Sequence, residues 1–188
     1  MPIFREGPGP YALALAMTGV RMGERQLLVG DDGPMFAALA AKTGLTGRAY
    51  VVAGTEESAM RIRAAAAEAG VLVEVDVAAL PALPPEAQEF DVAVIDAGPT
   101  LLTRLDGPAR AELVANVFRV LRTGGRAMVV EREPGGLLGV FRGKTQGLAE
   151  FRAHGGAAPL LDGAGFRPVR VLPEREGQRY TEGLKTTK

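Results

Sequence analysis

Apolar residues fall along this chain in short unbroken runs closed by glycine-bearing polar turns, and the runs alternate with segments of helical period. Leu27-Leu28-Val29 stops abruptly at Gly30-Asp31-Asp32-Gly33-Pro34, and an alanine-rich stretch, Met35 to Lys42, follows at once. The pattern predicts a strand over Gln26 to Val29, a tight turn, and a helix, which is the opening unit of an α/β fold. Ahead of it, Tyr11 to Thr18 reads as a short helix. Arg48 to Ala53 is a second strand, β-branched and aromatic with no alternation. Glu56 to Ala69 is a helix, with Thr55 as N-cap, acids in its first turn and Gly70 after its last. Val71 to Val77 and Phe90 to Ile95 are the third and fourth strands. Pro108 to Leu121 is an amphipathic helix whose Leu113, Val117, Val120 and Leu121 share a face. Arg122 to Gly125 then turns the chain into a fifth strand, Arg126 to Glu131. Leu160 to Ala164 resumes a helix, and Phe166 to Leu172 with Gln178 to Leu184 form a closing hairpin around Glu176-Gly177.

Continuous apolar runs of this kind suit a parallel sheet buried on both faces. Strands that alternate with helices or crossovers give a doubly wound sheet, and the right-handed crossover rule leaves little choice of topology. No internal repeat or second domain is visible, so residues 1–188 are expected to form one domain. Pro134 to Pro159 is the least regular stretch, with seven glycines. It reads as a surface loop around a short helix, or as a lid over the carboxyl edge of the sheet.

Composition narrows the chemistry. Lysine plus arginine and aspartate plus glutamate balance at 22 each, so no global field draws the chain to nucleic acid or an anionic membrane. There is no cysteine, which removes thiolate nucleophiles and disulfides, and one histidine, His154, which rules out a histidine-rich metal site. No signal pattern or membrane-length apolar run occurs, and a cytoplasmic protein is expected.

The first turn carries the candidate chemistry. Free N–H groups at a helix start, the helix dipole and permissive glycines make such a turn a binding site. Here Asp31 and Asp32 place two carboxylates in it, and Pro34 removes a donor. A phosphate would be repelled; a ribose hydroxyl or a cationic ligand would not.

Three pieces then resemble the class I S-adenosylmethionine-dependent methyltransferases. Gly19 to Arg25 is similar to that family's approach to strand one. Phe90-Asp91-Val92-Ala93-Val94-Ile95 is similar to its fourth strand. Val120-Leu121-Arg122-Thr123-Gly124-Gly125-Arg126 through Glu131 is similar to its "VLRPGGRLVVVE", with threonine for proline. The resemblance implies a Rossmann-like sheet of seven strands, mostly parallel, with helices on both faces and an antiparallel C-terminal strand. It implies S-adenosylmethionine as cofactor and a small-molecule or otherwise unspecified methyl acceptor; no metal is expected, since the sequence shows no acidic cluster beyond Asp31 and Asp32. A homodimer is left open.

The residues that would hold the cofactor depart from the family pattern. Leu28 stands at the position of its first acid, and the three glycine positions read Gly30, Asp32 and Pro34. The acid that ends strand two and holds the ribose would fall at Ala53, followed by Gly54 and Thr55. Asp76, with Val77 beside it, matches the third-strand acid that meets the adenine, and reads equally as a solvated strand-end carboxylate. The cofactor set implied is thus Gly30, Asp31, Asp32, Gly33, Gly54, Thr55, Asp76 and Val77. Two readings follow: a methyltransferase with a divergent pocket, in which Asp31 or Asp32 replaces the missing acids, or a cofactor-free binding or structural module on the same fold. A dehydrogenase comes third, since the turn lacks G-x-G-x-x-G and its aspartates oppose pyrophosphate. Asp96, closing strand four beside Gly98, is the candidate catalytic base; a turn-forming aspartate before Gly-Pro is its plainer role. His154, the one imidazole in the chain, is of the side-chain type most often used as a base, and equally reads as a surface residue.

Overall fold

Leu27 and Leu28 are both fully buried, and they lie in different clusters on opposite faces of one sheet. That is the expected outcome of a strand with helices above and below. The structure, a computed structural model, describes residues 11–83, 87–98, 101, 105–132 and 144–187, without the side chains of 144–146. Its elements are α1 (Ala12–Thr18), β1 (Arg25–Val29), α2 (Gly33–Thr43), β2 (Arg48–Ala53), α3 (Glu56–Glu68), β3 (Glu74–Val77) and β4 (Phe90–Asp96). They continue as α4 (Gly107–Val120), β5 (Leu121–Arg132), α5 (Lys144–Ala153), α6 (Ala158–Ala164), β6 (Val169–Val171) and β7 (Gln178–Leu184).

The seven strands lie in the order β3-β2-β1-β4-β5-β7-β6. Strands β1 to β5 pair in parallel, and β7 runs antiparallel between β5 and β6. Leu27, Val29, Val52, Phe90 and Ile95 face α4, α5 and α6, through Leu113, Val117, Phe151 and Leu161. Leu28, Val51, Val92 and Val94 face α1, α2 and α3, through Ala14, Phe36 and Ile62. Gly33 lets α2 and α3 approach: a Cβ there would lie 3.1 Å from the Arg61 carbonyl oxygen and the Ile62 Cα. The predicted Thr55 cap forms, and α4 carries a cap that the sequence reading did not name. Thr55 Oγ1 accepts from Ser58 N at 3.1 Å, and Asp106 Oδ1 from Ala109 N at 2.9 Å.

Three differences from the sequence reading exceed two residues or change an element's type. Strand β3 begins at Glu74 and not at Val71, because Val71 N closes α3 by donating to the Ala66 carbonyl. The expected turn at Arg122 to Gly125 is a bulge inside β5, where the register against β4 shifts between Phe90 and Val92. Gly124 (φ +81°) and Gly125 make that bulge; a Cβ on Gly125 would lie 2.8 Å from the Arg122 oxygen. Strand β6 is cut to three residues at the sheet edge. Of the glycine-rich stretch, residues 134–143 lie outside the described residues, and the rest is α5 and its turn into α6.

Candidate functional site at the carboxyl edge of the sheet

The order of winding reverses between β1 and β4, and in open α/β sheets the crevice beyond the carboxyl ends at such a point is where ligands bind. Here β1 ends in the Gly30-Asp31-Asp32 turn and β4 ends in Asp96. Gly30 adopts φ +141°, and a Cβ there would lie 2.8 Å from the Asp96 Cβ. Only glycine lets the two strand ends come this close.

The two carboxylates that flank the crevice share one cation. Arg132, the last residue of β5, places Nη1 2.5 Å from Asp32 Oδ2 and donates from Nη2 to Asp96 Oδ1 at 2.9 Å. Asp32 also caps α2, its Oδ1 accepting from Met35 N at 2.9 Å. Asp96 Oδ1 accepts in addition from Gly98 N at 3.2 Å, the turn-forming role expected of an Asp before Gly-Pro. The side chains of Asp32, Asp96 and Arg132 are 12%, 6% and 24% exposed, so the bridge is largely out of water. Burial raises the Asp96 carboxyl above the ordinary aspartate range against the pull of Arg132, and Asp32 adds to the rise. Burial works against the Arg132 cation, but its two carboxylates outweigh that and hold the charge. Arg132 gains more from the cluster because it faces two anions, while Asp96 faces one cation and a second anion. Tyr11 feels the same field: burial raises its phenol and Asp32 raises it further.

The remaining sequence candidates divide around this bridge. The carboxylate of Asp31 has no hydrogen-bond or ion-pair partner among the described residues. The register sets it beside the end of β2: Val29 pairs with Val52, and Gly30 N donates to Val52 O at 3.3 Å. Asp31 therefore follows alongside the end of β2, at Ala53 and Gly54. Leu28 and Ala53 are fully buried in the apolar cluster over α2 and α3 and can touch no ligand hydroxyl. Thr55 is the α3 cap. Asp76 accepts a hydrogen bond from the Tyr50 hydroxyl, and burial together with that bond pushes the phenol well above its ordinary value. Val77 is 38% exposed at the far end of β3. Among the described residues no cluster of three or more His, Asp or Glu could hold a metal ion. No described helix is long and apolar enough to cross a membrane.

Two charged residues at the end of β5 escaped the sequence reading. Arg132 is one. Glu131 is the other: it is fully buried, accepts from Ala157 N at 3.0 Å and faces Arg152 Nε at 3.3 Å. Burial raises its carboxyl against these donors. Arg152 Nη2 also donates to the Glu131 carbonyl at 2.9 Å, tying α5 to the strand end. The one signal in the sequence is a run of charge, Glu131-Arg132-Glu133, directly after the buried run Ala127 to Val130.

No family model matches the sequence, and no curated protein is found by sequence similarity. In structure the chain is similar to a SAM-dependent methyltransferase from Aquifex aeolicus, with a TM-score of 0.67 and 17% identity over 95% of each chain. It is also similar to a SAM-dependent O-methyltransferase from Thermotoga maritima, with a TM-score of 0.62 and 17% identity over 96% of this chain and 66% of that one. With the strand order above, the chain has the class I methyltransferase fold over nearly its whole length. At these identities the likeness is one of fold.

Proposed function

We propose that the chain is an S-adenosylmethionine-dependent methyltransferase with a rebuilt cofactor crevice, in which Asp31 replaces the ribose-binding acid absent at Ala53. The observation that carries this reading is the division of labour between adjacent aspartates. Asp32 is committed to the α2 cap and to Arg132, whereas the Asp31 carboxylate has no partner among the described residues and follows alongside the end of β2. The residues fit the cofactor in part: the Gly30 turn admits close backbone approach, Asp76 and Val77 offer an adenine-side edge, and Asp31 supplies a carboxylate for the diol.

S-adenosylmethionine supplies, when bound, a methyl group on a positive sulfur. The chain's own work is to hold and orient, since methyl transfer needs an in-line nucleophile more than acid–base help. Asp31 accepts hydrogen bonds from ligand hydroxyls. Asp96 and Asp32 give the crevice a net negative charge that Arg132 only half cancels, which favours a cationic ligand. Asp96, its carboxyl raised by burial, is the group placed to take a proton. Calorimetry with S-adenosylmethionine tests the reading: saturable heat supports it, and its absence at millimolar ligand removes it.

The Arg132 bridge favours a second reading. A guanidinium already spans the crevice between β1 and β4, so the fold can serve as a binding or structural module with no cofactor. Under that reading neither Asp31→Asn nor Asp32→Asn changes any ligand affinity.

A further inference from the structure

A second polar cavity, of about 230 Å³, lies between the first turn of α4 and the outer side of α5, lined by Arg110, Gly147, Glu150, Phe151 and His154. The two helices follow β4 and β5, and Phe151 packs in the same cluster as Ile95 and Ala97 at the end of β4. Arg152, two residues before His154, donates to the Glu131 carbonyl near the end of β5, so the end of α5 that carries His154 lies toward the carboxyl edge of the sheet. Among the described residues its polar groups keep hydrogen-bonding atoms to spare. Arg110 donates from Nε to the Leu105 carbonyl at 2.7 Å and lies over the Phe151 ring, 5.5 Å from the ring centre to Cζ. The two Nη groups have no partner among the described residues, nor has the Glu150 carboxylate. His154 Nδ1 lies 2.8 Å from the Glu150 carbonyl oxygen, which can only accept. In the neutral ring Nδ1 therefore carries the proton, which leaves Nε2 as the acceptor.

We propose that this cavity holds the methyl acceptor, and that the acceptor is a small hydroxy-carboxylate. The Arg110 fork matches a carboxylate in two parallel hydrogen bonds. Phe151, which lines the cavity under the Arg110 guanidinium, gives the ring or chain an apolar wall, and the hydroxyl donates to His154 Nε2. Glu150 repels a second anionic group, so the far end of the ligand carries a hydroxyl and not another acid. At about 30 Å³ per water, the space holds roughly eight waters, enough for one substituted ring. Recognition of the acid stands on the cavity alone; its role as acceptor rests on the proposed function.

His154 is the one histidine in the chain, so its ring Cε1 proton gives an isolated NMR signal. The full-length protein is titrated with 4-hydroxybenzoate and, separately, with neutral 4-hydroxybenzamide. The expected result is a saturable shift of the His154 signal with the acid and at least tenfold weaker binding of the amide. Arg110→Gln should lose that preference, and Glu150→Gln, a surface change, should tighten binding of the acid a few-fold. No saturable shift up to about 10 mM acid, an equal response to the amide, or no effect of Glu150→Gln would overturn the inference. Cofactor binding is read separately. S-adenosylmethionine binding without a His154 response overturns the cavity and leaves the proposed function standing. A His154 response without S-adenosylmethionine binding overturns the acceptor role.

Discussion

Replacing Arg132 with methionine removes the guanidinium and leaves Asp32 and Asp96 facing each other, 12% and 6% exposed, with no cation between them. Breaking one side of a buried charge cluster costs about 3–5 kcal/mol. Arg132 is itself 24% exposed, so water can enter the gap, and the lower figure, about 3 kcal/mol, is expected. For a chain of 188 residues this corresponds to a fall in Tm of roughly 6–12 °C. The sign of the pH dependence follows from Asp96. Its folded carboxyl titrates above the ordinary aspartate value, so the folded state holds that proton more tightly than the unfolded chain does. The resulting penalty is absent below the ordinary aspartate pKa and grows as pH rises through the folded value. Without Arg132 to oppose it the penalty deepens, so Arg132→Met should regain stability on acidification from pH 7 toward about pH 5. The triple change Arg132→Met, Asp32→Asn, Asp96→Asn removes all three charges and keeps a competent cap at position 32. It should recover most of the lost Tm. Thermal unfolding of the single and triple variants at two pH values is the assay. A single variant within about 2 °C of the parent, or a triple variant no better than the single, would refute the reasoning.

Three further outcomes follow from the same packing. Gly30→Ala must find room for a Cβ 2.8 Å from the Asp96 Cβ at φ +141°, and should cost about 2–3 kcal/mol by denaturant unfolding, far more than Gly163→Ala, where no atom lies within 4 Å. Glu131→Gln should weaken the hold on Ala157 N and Arg152 and speed amide exchange across Leu148 to Ala153; unchanged protection there would count against Glu131 as the anchor of α5. Burial would raise the Glu24 carboxyl, but Arg126 and the Arg21 N–H outweigh it and hold it below the ordinary glutamate value. Its contribution is therefore present above that ordinary value and lost as pH falls through the folded one. Glu24→Gln should lower stability at pH 7, with the gap closing between about pH 5 and pH 3 on acid titration.

The sheet was legible because its signals are local. Arg48 to Ala53 is an unbroken apolar run, and the observed β2 has the same ends. Thr55 and the acids after it mark a helix start that nothing in the tertiary structure overrides. Errors fell where long-range pairing decides. Val71 to Val73 have strand-like composition, but the edge strand is trimmed to where it meets Tyr50, and the preceding helix claims the Val71 N–H. The Thr123-Gly124-Gly125 step has the composition of a turn, yet β4 holds it in register as a bulge. The site was legible in outline only. Asp31, Asp32 and Asp96 stand out as carboxylates after apolar strands, but the arginine that joins two of them is 100 residues from Asp32 in sequence and 36 from Asp96. No periodicity reports such a pairing. Which of two adjacent aspartates is spent on the protein's own structure becomes visible only once Arg132 and the Met35 N–H are seen to claim Asp32.

The central claim, that the β1–β4 crevice binds S-adenosylmethionine through Asp31, is tested most directly by isothermal titration calorimetry on the native chain and on Asp31→Asn. A charge-assisted hydrogen bond from a ligand hydroxyl is worth roughly 1.5–3 kcal/mol, so the substitution should weaken binding by about one to two decades. Saturable heat is expected from the native protein, with a loss of that size in Asp31→Asn and a smaller loss in Asp32→Asn, whose carboxylate is already engaged. No heat from the native protein at millimolar S-adenosylmethionine, or an affinity indifferent to Asp31, would contradict it.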